Sequence, residues 1–184
     1  MAWGPISHAQ FQAALDRFGL GRFIGAEPIT RGNFGQNCFL NSTAGAFVLR
    51  GAPHYPWQFL EEQFFAQLLH ERTSVLVPWP YHVDESGETF CWPYAIMPRL
   101  PGRPLADKAF RGSLDTAAQR EIARALGQTL ADLQALGGPV PGAYDPAIRR
   151  IQPGCRYART GRTSTCSSLA GEGASSSAGP DHRG

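Results

Sequence analysis

At 184 residues, with 42% hydrophobic and 11% aromatic side chains, the chain is long enough to bury one sizeable core. A net charge of only +2, from scattered Lys and Arg, excludes the basic stripe that grips a nucleic-acid backbone, and no window approaches the roughly 20 apolar residues of a membrane span. Neither nucleic acid nor membrane is therefore an expected partner, and Met1-Ala2-Trp3-Gly4-Pro5, without the basic and apolar regions of a leader, leads us to expect a cytoplasmic location.

Apolar groups recur at helical spacing over residues 11–18 and stop at Gly19, which predicts a short opening helix. Residues 23–30 read as a strand entering the turn Arg31-Gly32-Asn33-Phe34-Gly35-Gln36-Asn37. Two glycines three apart let a backbone turn approach polyphosphate oxygens closely, so Gly32, Asn33, Phe34, Gly35, Gln36 and Asn37 are candidate nucleotide-binding residues. The chain returns as a strand, turns at Ala44-Gly45 and comes back through Ala46-Phe47-Val48-Leu49-Arg50, giving three antiparallel strands. Strand alternation points Arg50 opposite to Phe47 and Leu49, toward the face that the glycine-rich turn covers.

Pro53-His54-Tyr55-Pro56 breaks the sheet, and residues 57–72 carry apolar groups at 59, 60, 64, 65, 68 and 69, which form one broad helical face. After Val75-Leu76-Val77-Pro78-Trp79-Pro80, two short strands are predicted at 81–84 and 92–97, with Glu85-Ser86-Gly87-Glu88 turning between them. The first unit is thus an α+β domain of about five antiparallel strands around one helix. Pro101-Gly102-Arg103-Pro104 interrupts it, and Asp115 or Thr116 caps a helix running to about residue 136, apolar at 122, 126, 130, 133 and 136. The expected divisions are an opening helix over 1–19, the sheet unit over 20–100, a linker at 101–105, a partial helical unit over 106–151 and a tail over 152–184. Among the 33 tail residues are six Gly, six Ser, four Ala and three Thr, with Leu169 the one large aliphatic. Such a segment buries too little apolar surface to offset its ordering entropy, and disorder is expected there. Cys38, Cys91, Cys155 and Cys166 show no Cys-x-x-Cys pair and no His at ligand spacing, so they read as reduced thiols.

Strand, glycine-rich turn, strand, cation-bearing strand, Glu-bearing helix, two strands and a Pro-Gly linker form an order that resembles a protein-kinase-like N-lobe. In detail it is similar to the aminoglycoside phosphotransferase and choline kinase family. That family often has apolar-apolar-Leu-Arg on the third strand, Gly-x-Asn at the end of the turn and Leu-Pro-Gly in the linker; here these are Phe47-Val48-Leu49-Arg50, Gly35-Gln36-Asn37 and Leu100-Pro101-Gly102. The resemblance covers residues 20–150 and implies a kinase-like N-lobe followed by a truncated helical C-lobe. It also implies ATP with magnesium as cofactor, a nucleotide and a small-molecule hydroxyl compound as partners, and phosphoryl transfer between them.

The same resemblance implies that Arg50 meets the α and β phosphates, held by an ion pair from the following helix. Glu61 and Glu62 are both candidates. Glu61 has Phe64, Phe65 and Leu68 at plus three, four and seven, whereas Glu62 better fits the family spacing to Val75-Leu76-Val77-Pro78 and is favoured. With Met97 in the gatekeeper position, adenine would take the carbonyl of Pro98 and the N–H of Leu100. Proline keeps its carbonyl and lacks only the N–H, so Pro98 suits the acceptor role.

Transfer itself needs an Asp for the attacking hydroxyl and an Asn and second Asp for magnesium, which family members carry in a His-x-Asp-x-x-x-x-Asn loop and a later Asp. The chain has neither. His82-Val83-Asp84 is its one His-x-Asp, but Thr89 stands where Asn is required and the segment precedes the linker, so it reads as an exposed turn on an edge strand. No catalytic or metal-ligating residue is assigned. Residues 126–136 resemble the family's Leu-Gly-x-x-Leu-Ala-x-Leu-His-x-Leu with Gln134 replacing His, Gly142-Ala143-Tyr144-Asp145-Pro146 is still family-like, and the resemblance stops near Gln152-Pro153. The expectation is the nucleotide-binding portion of a small-molecule kinase, inactive as written, with a tail of the composition that a frameshift in a GC-rich gene yields. The alternatives are a non-enzymatic nucleotide-binding or interaction module, using an exposed apolar face on the 116–136 helix, and a gene fragment without a role.

Overall fold

In the computed structural model, which describes residues 6–29, 36–137 and 142–153, Ser7 opens helix α1 (His8–Asp16). The Ser7 hydroxyl accepts from the Gln10 N–H at 3.3 Å and the Gln10 side chain accepts from the Ser7 N–H at 3.0 Å, a reciprocal cap that satisfies two otherwise orphaned donors. The helix stops as expected at Gly19, whose φ of +65° suits a residue without a Cβ. Gly21 combines a φ of +78° with close approach, since a Cβ there would lie 2.6 Å from Thr43 Oγ1.

Strands β1 (Phe23–Pro28), β2 (Gln36–Ser42) and β3 (Gly45–Gly51) follow, joined between β2 and β3 by the two-residue turn Thr43-Ala44. Residues 30–35, which include most of the predicted glycine-rich turn, lie outside the described residues, as does the tail from residue 154 with Cys155 and Cys166. Helix α2 (Gln58–Arg72) leads to β4 (His82–Asp84) and β5 (Tyr94–Pro98). The five strands form one antiparallel sheet in the order β1-β2-β3-β5-β4, so β5 inserts between β3 and the edge strand β4.

Alternation along β3 and β5 divides the molecule. Phe47, Leu49, Tyr94 and Ile96 point to the face that α1 covers, where they pack with Phe11, Ala14, Leu15, Leu40 and Phe90. Val48, Ala95 and Met97 point to the other face and pack with Phe59 and Ala66 of α2 and with Tyr81. Full burial of each such large side chain is worth roughly 1.5–3 kcal/mol relative to exposure, so both faces contribute to holding the sheet. On α2 the buried stripe is Phe59 and Ala66, narrower than the apolar face read from spacing, and Phe65 is 39% exposed. A helix lying on a sheet contacts it along a single ridge, and the small Ala66 lets that ridge approach closely.

The second unit begins with helix α3 (Lys108–Gly112), absent from the sequence-based expectation because five residues are too few to show a period. Its signal is Asp107, whose carboxylate accepts from the N–H groups of Ala109 and Phe110 at 3.0 and 3.1 Å. Helix α4 (Thr116–Ala135) starts at an Asp115 cap, which decides between the two cap candidates, and buries none of its residues. A second unexpected element is the hairpin of β6 (Gly142–Asp145) and β7 (Arg150–Pro153). Tyr144 of β6 is buried with its ring centroid 5.4 Å from that of Phe64 on α2.

His82-Val83-Asp84 does lie on an edge strand, but the expectation that it is an exposed turn is wrong. Asp84 is 2% exposed, accepts from the Ser86 N–H at 2.8 Å and pairs with Arg17 Nε at 2.9 Å. The His82 ring stacks on Phe18 with centroids 4.8 Å apart. The segment therefore fastens the end of α1 to the sheet. Burial acts to raise the Asp84 pKa, but donors from Ser86 and the Arg17 charge outweigh it, leaving the carboxyl below its ordinary value. A depressed folded-state pKa adds stability that is fully present above the unfolded value of about 3.9 and is lost as pH falls through the lower folded value. We expect Asp84→Asn to lower stability at pH 7 by about 1–3 kcal/mol and to flatten the loss of stability below about pH 4, measured by urea unfolding across that range. An acid-stability profile identical to that of the unaltered chain would contradict this.

Candidate functional site

Arg50 is the penultimate residue of β3, on the face that α2 covers, and precedes Gly51, where an added Cβ would meet the Trp92 ring at 2.5 Å. Its guanidinium forms an ion pair with Glu62 of α2 through Nη1 and Oε2, with Arg50 24% and Glu62 29% exposed at the side chain. Of the two acidic candidates, Glu62 is thus the one paired with Arg50; Glu61 is one helical step away and accepts from the Tyr55 hydroxyl at 2.5 Å. Glu62 Oε1 accepts from Gln58 Nε2 at 2.9 Å, and the Tyr81 hydroxyl donates to Oε2. The Arg50 guanidinium also lies 5.7 Å from the Phe59 ring centroid. The ion pair is only partly screened from water, which leaves room for a ligand to reach the guanidinium.

Two concave regions meet on this face. One, of about 420 Å³, is lined by Arg50, Tyr55, Glu61, Glu62, Phe65 and Tyr81 among others, and the exposed edge of Phe65 belongs to its wall. The second, of about 360 Å³, is lined by Phe39, Val48, Met97, Pro98, Leu100 and further residues of the linker. Pro78 and Met97 line both, so an apolar slot opens beside a charged one. The Arg99 guanidinium covers the Phe39 ring at 3.7 Å and closes the slot on the β2 side.

Backbone direction matters at the end of β5. The Arg99 N–H donates to the Ala46 carbonyl at 2.9 Å, prolonging the ladder with β3. Neighbouring residues of an extended segment turn their amide groups to opposite edges, so the Pro98 carbonyl and the Leu100 N–H face away from β3. The β4 ladder ends at the pair His82 and Ile96 and does not reach them. Pro98 and Leu100 both line the apolar slot.

The structure thus brings together Arg50, Glu62, Met97, Pro98 and Leu100 on one side of the sheet, with Glu61 at the margin. Asn37 lies opposite Arg50 in the β2–β3 ladder and Gln36 opposite Gly51, while Gly32, Asn33, Phe34 and Gly35 lie outside the described residues. Sequence reasoning missed Tyr81 and Gln58. The only trace of Gln58 was its position four before Glu62 on a helix, and nothing local marks a Tyr whose partner is 19 residues away. Among the described residues no three His, Cys, Asp or Glu are gathered for a metal ion, and Glu62 is already taken by three donors. The described residues accordingly do not fit a metal site. Cys38 is a thiol whose pKa burial pushes up to about 11, which keeps it unreactive. No helix among the described residues is long and apolar enough to cross a membrane.

The model of the phosphotransferase enzyme family matches residues 25–161, about three quarters of the chain, from the middle of β1 past the end of β7. It extends several residues beyond Gln152-Pro153, where the motif-by-motif resemblance ends. No curated protein and no solved structure matches the chain.

Proposed function

The chain belongs to the phosphotransferase enzyme family, and from that premise we propose that the sheet face bearing Arg50 binds ATP, with the base in the slot between Val48 and Met97 and the phosphates at Arg50. What carries the reading is the continuity of the two concave regions through Pro78 and Met97, with a fixed cation at one end and an open backbone edge at the other. Val48 and Met97 offer the base apolar surface, and the Pro98 carbonyl and Leu100 N–H satisfy its polar edge. Arg50 supplies positive charge without leaving the sheet, because Glu62 holds it in place.

The family acts by moving a phosphoryl group from a nucleotide to an acceptor, here proposed to be the hydroxyl of a small molecule. Magnesium supplies charge neutralisation at the phosphates in such reactions, but the described residues gather no set of ligands for it. The 184-residue chain carries no His-x-Asp-x-x-x-x-Asn loop, the motif by which such reactions position an acceptor hydroxyl and take its proton. We therefore propose that this chain binds nucleotide without transferring its phosphoryl group. Titration calorimetry with ATP, with and without magnesium, should give saturable binding, and phosphate release should stay at the uncatalysed rate. Absence of binding at millimolar ATP would remove the proposal.

An interaction module is the second reading, favoured by one observation. Leu126, Leu130 and Leu133 of α4 are 66%, 55% and 40% exposed at positions that share one helical face. The two readings are compatible, since the apolar helix and the Arg50 face belong to different units.

A further inference from the structure

We propose that Tyr81 is the positioning residue for Arg50: by donating its hydroxyl to Glu62, it sets how much of the guanidinium stays turned toward the nucleotide phosphates. This rests on the nucleotide reading above and deepens it.

The Tyr81 ring is buried against Phe59, Ala66, Ala95 and Met97. Its backbone carbonyl accepts from Gln63 Nε2 at 2.7 Å, so both ends of the residue are fastened to α2 or the sheet. The hydroxyl reaches Glu62 Oε2, the same oxygen that Arg50 Nη1 approaches, and lies 3.5 Å from Nη1 itself. Gln58 serves the other carboxylate oxygen. Glu62 is thereby supplied with a neutral donor on each oxygen. Burial, and then the bond to Glu62, push the phenol well above its ordinary pKa, so it remains a donor throughout the physiological range.

An arginine facing a carboxylate alone tends toward a two-pronged grip that uses two of its five N–H groups. With Tyr81 and Gln58 satisfying Glu62, a single Arg50 nitrogen suffices, and the rest of the fork is left for phosphate oxygens. Removing the hydroxyl draws a second guanidinium N–H onto Glu62 Oε2 and turns the fork away from the ligand.

The test is calorimetric titration of the full chain with ATP and, separately, with adenosine, using Tyr81→Phe, Arg50→Ala and the double variant. Tyr81→Phe should weaken ATP binding about fivefold and leave adenosine binding unchanged, and the effect should vanish in the Arg50→Ala background. Equal weakening of ATP and adenosine would overturn the proposal by showing a merely structural role. Unchanged ATP affinity in Tyr81→Phe, with Arg50→Ala still weakened, would overturn it while leaving the nucleotide reading intact. Failure of the unaltered chain to bind ATP, or indifference of ATP binding to Arg50→Ala, would overturn both. Should Tyr81→Phe not fold, 3-fluorotyrosine at position 81 provides a stronger donor of nearly the same shape. It should tighten ATP binding about twofold, and unchanged affinity there would equally overturn the proposal.

Discussion

Arg50→Ala is expected to weaken ATP binding between about tenfold and a hundredfold while leaving the unfolding midpoint within a few degrees of the unaltered chain. Hydrogen bonds to charged groups contribute about 1.5–3 kcal/mol each, and that is the affinity range such a loss spans. Stability should change little because the Arg50 side chain is partly exposed and Glu62 keeps the Gln58 and Tyr81 donors after the arginine has gone. Adenosine should bind the variant as well as the original, since the slot proposed for the base does not include Arg50. Equal ATP affinity in the two proteins, measured at the same salt concentration, would show that the phosphates lie elsewhere.

Leu49→Ala, one residue earlier on the same strand, should behave in the opposite way. Leu49 is 2% exposed in the cluster between the sheet and α1, and truncating a fully buried leucine costs about 2–5 kcal/mol from lost transfer energy and the cavity left behind. For a chain of this size that lowers the thermal midpoint by about 10 °C. ATP affinity measured well below the midpoint should be preserved, because Leu49 faces away from both concave regions. A large loss of affinity in the folded Leu49→Ala protein would mean that the two sheet faces are not independent. Taken together, the two variants separate binding from folding by a change of one position along β3.

Much of the fold was legible because its elements carry strong periods or clear stops. Gly19 ends α1, the turn from β2 into β3 falls at Thr43-Ala44, one residue before the predicted Ala44-Gly45, and α2 matched its predicted range to within one residue. What escaped notice was short or non-local. Five-residue α3 has no period to read, and the β6–β7 hairpin depends on Tyr144 finding Phe64 far away in sequence. His82-Val83-Asp84 was misjudged because a carboxylate beside a turn is usually solvated, whereas Arg17, at the distant end of α1, makes burial of Asp84 tolerable. At the candidate site, strand alternation anticipated that Arg50 and Leu49 point to opposite faces, and helical spacing left Glu61 and Glu62 nearly equal. Only packing separates them: the turn of α2 that presses Phe59 and Ala66 onto the sheet carries Glu62 toward Arg50.

The strand order has a kinetic consequence. Among the five sheet strands, β1 with β2, β2 with β3 and β4 with β5 are nearest neighbours in sequence, so their ladders close over short loops. The β3–β5 ladder alone must enclose α2 and β4 before it can form. Loop-closure entropy makes that the slowest of the four pairings to nucleate. Because it is also the pairing that sets Val48 beside Met97, a chain caught partway through folding holds a three-stranded meander and a separate hairpin, with no floor for a ligand. Nucleotide added during refolding would therefore recognise only the last-formed state, accelerating none of the earlier steps and slowing only the reverse of the final one.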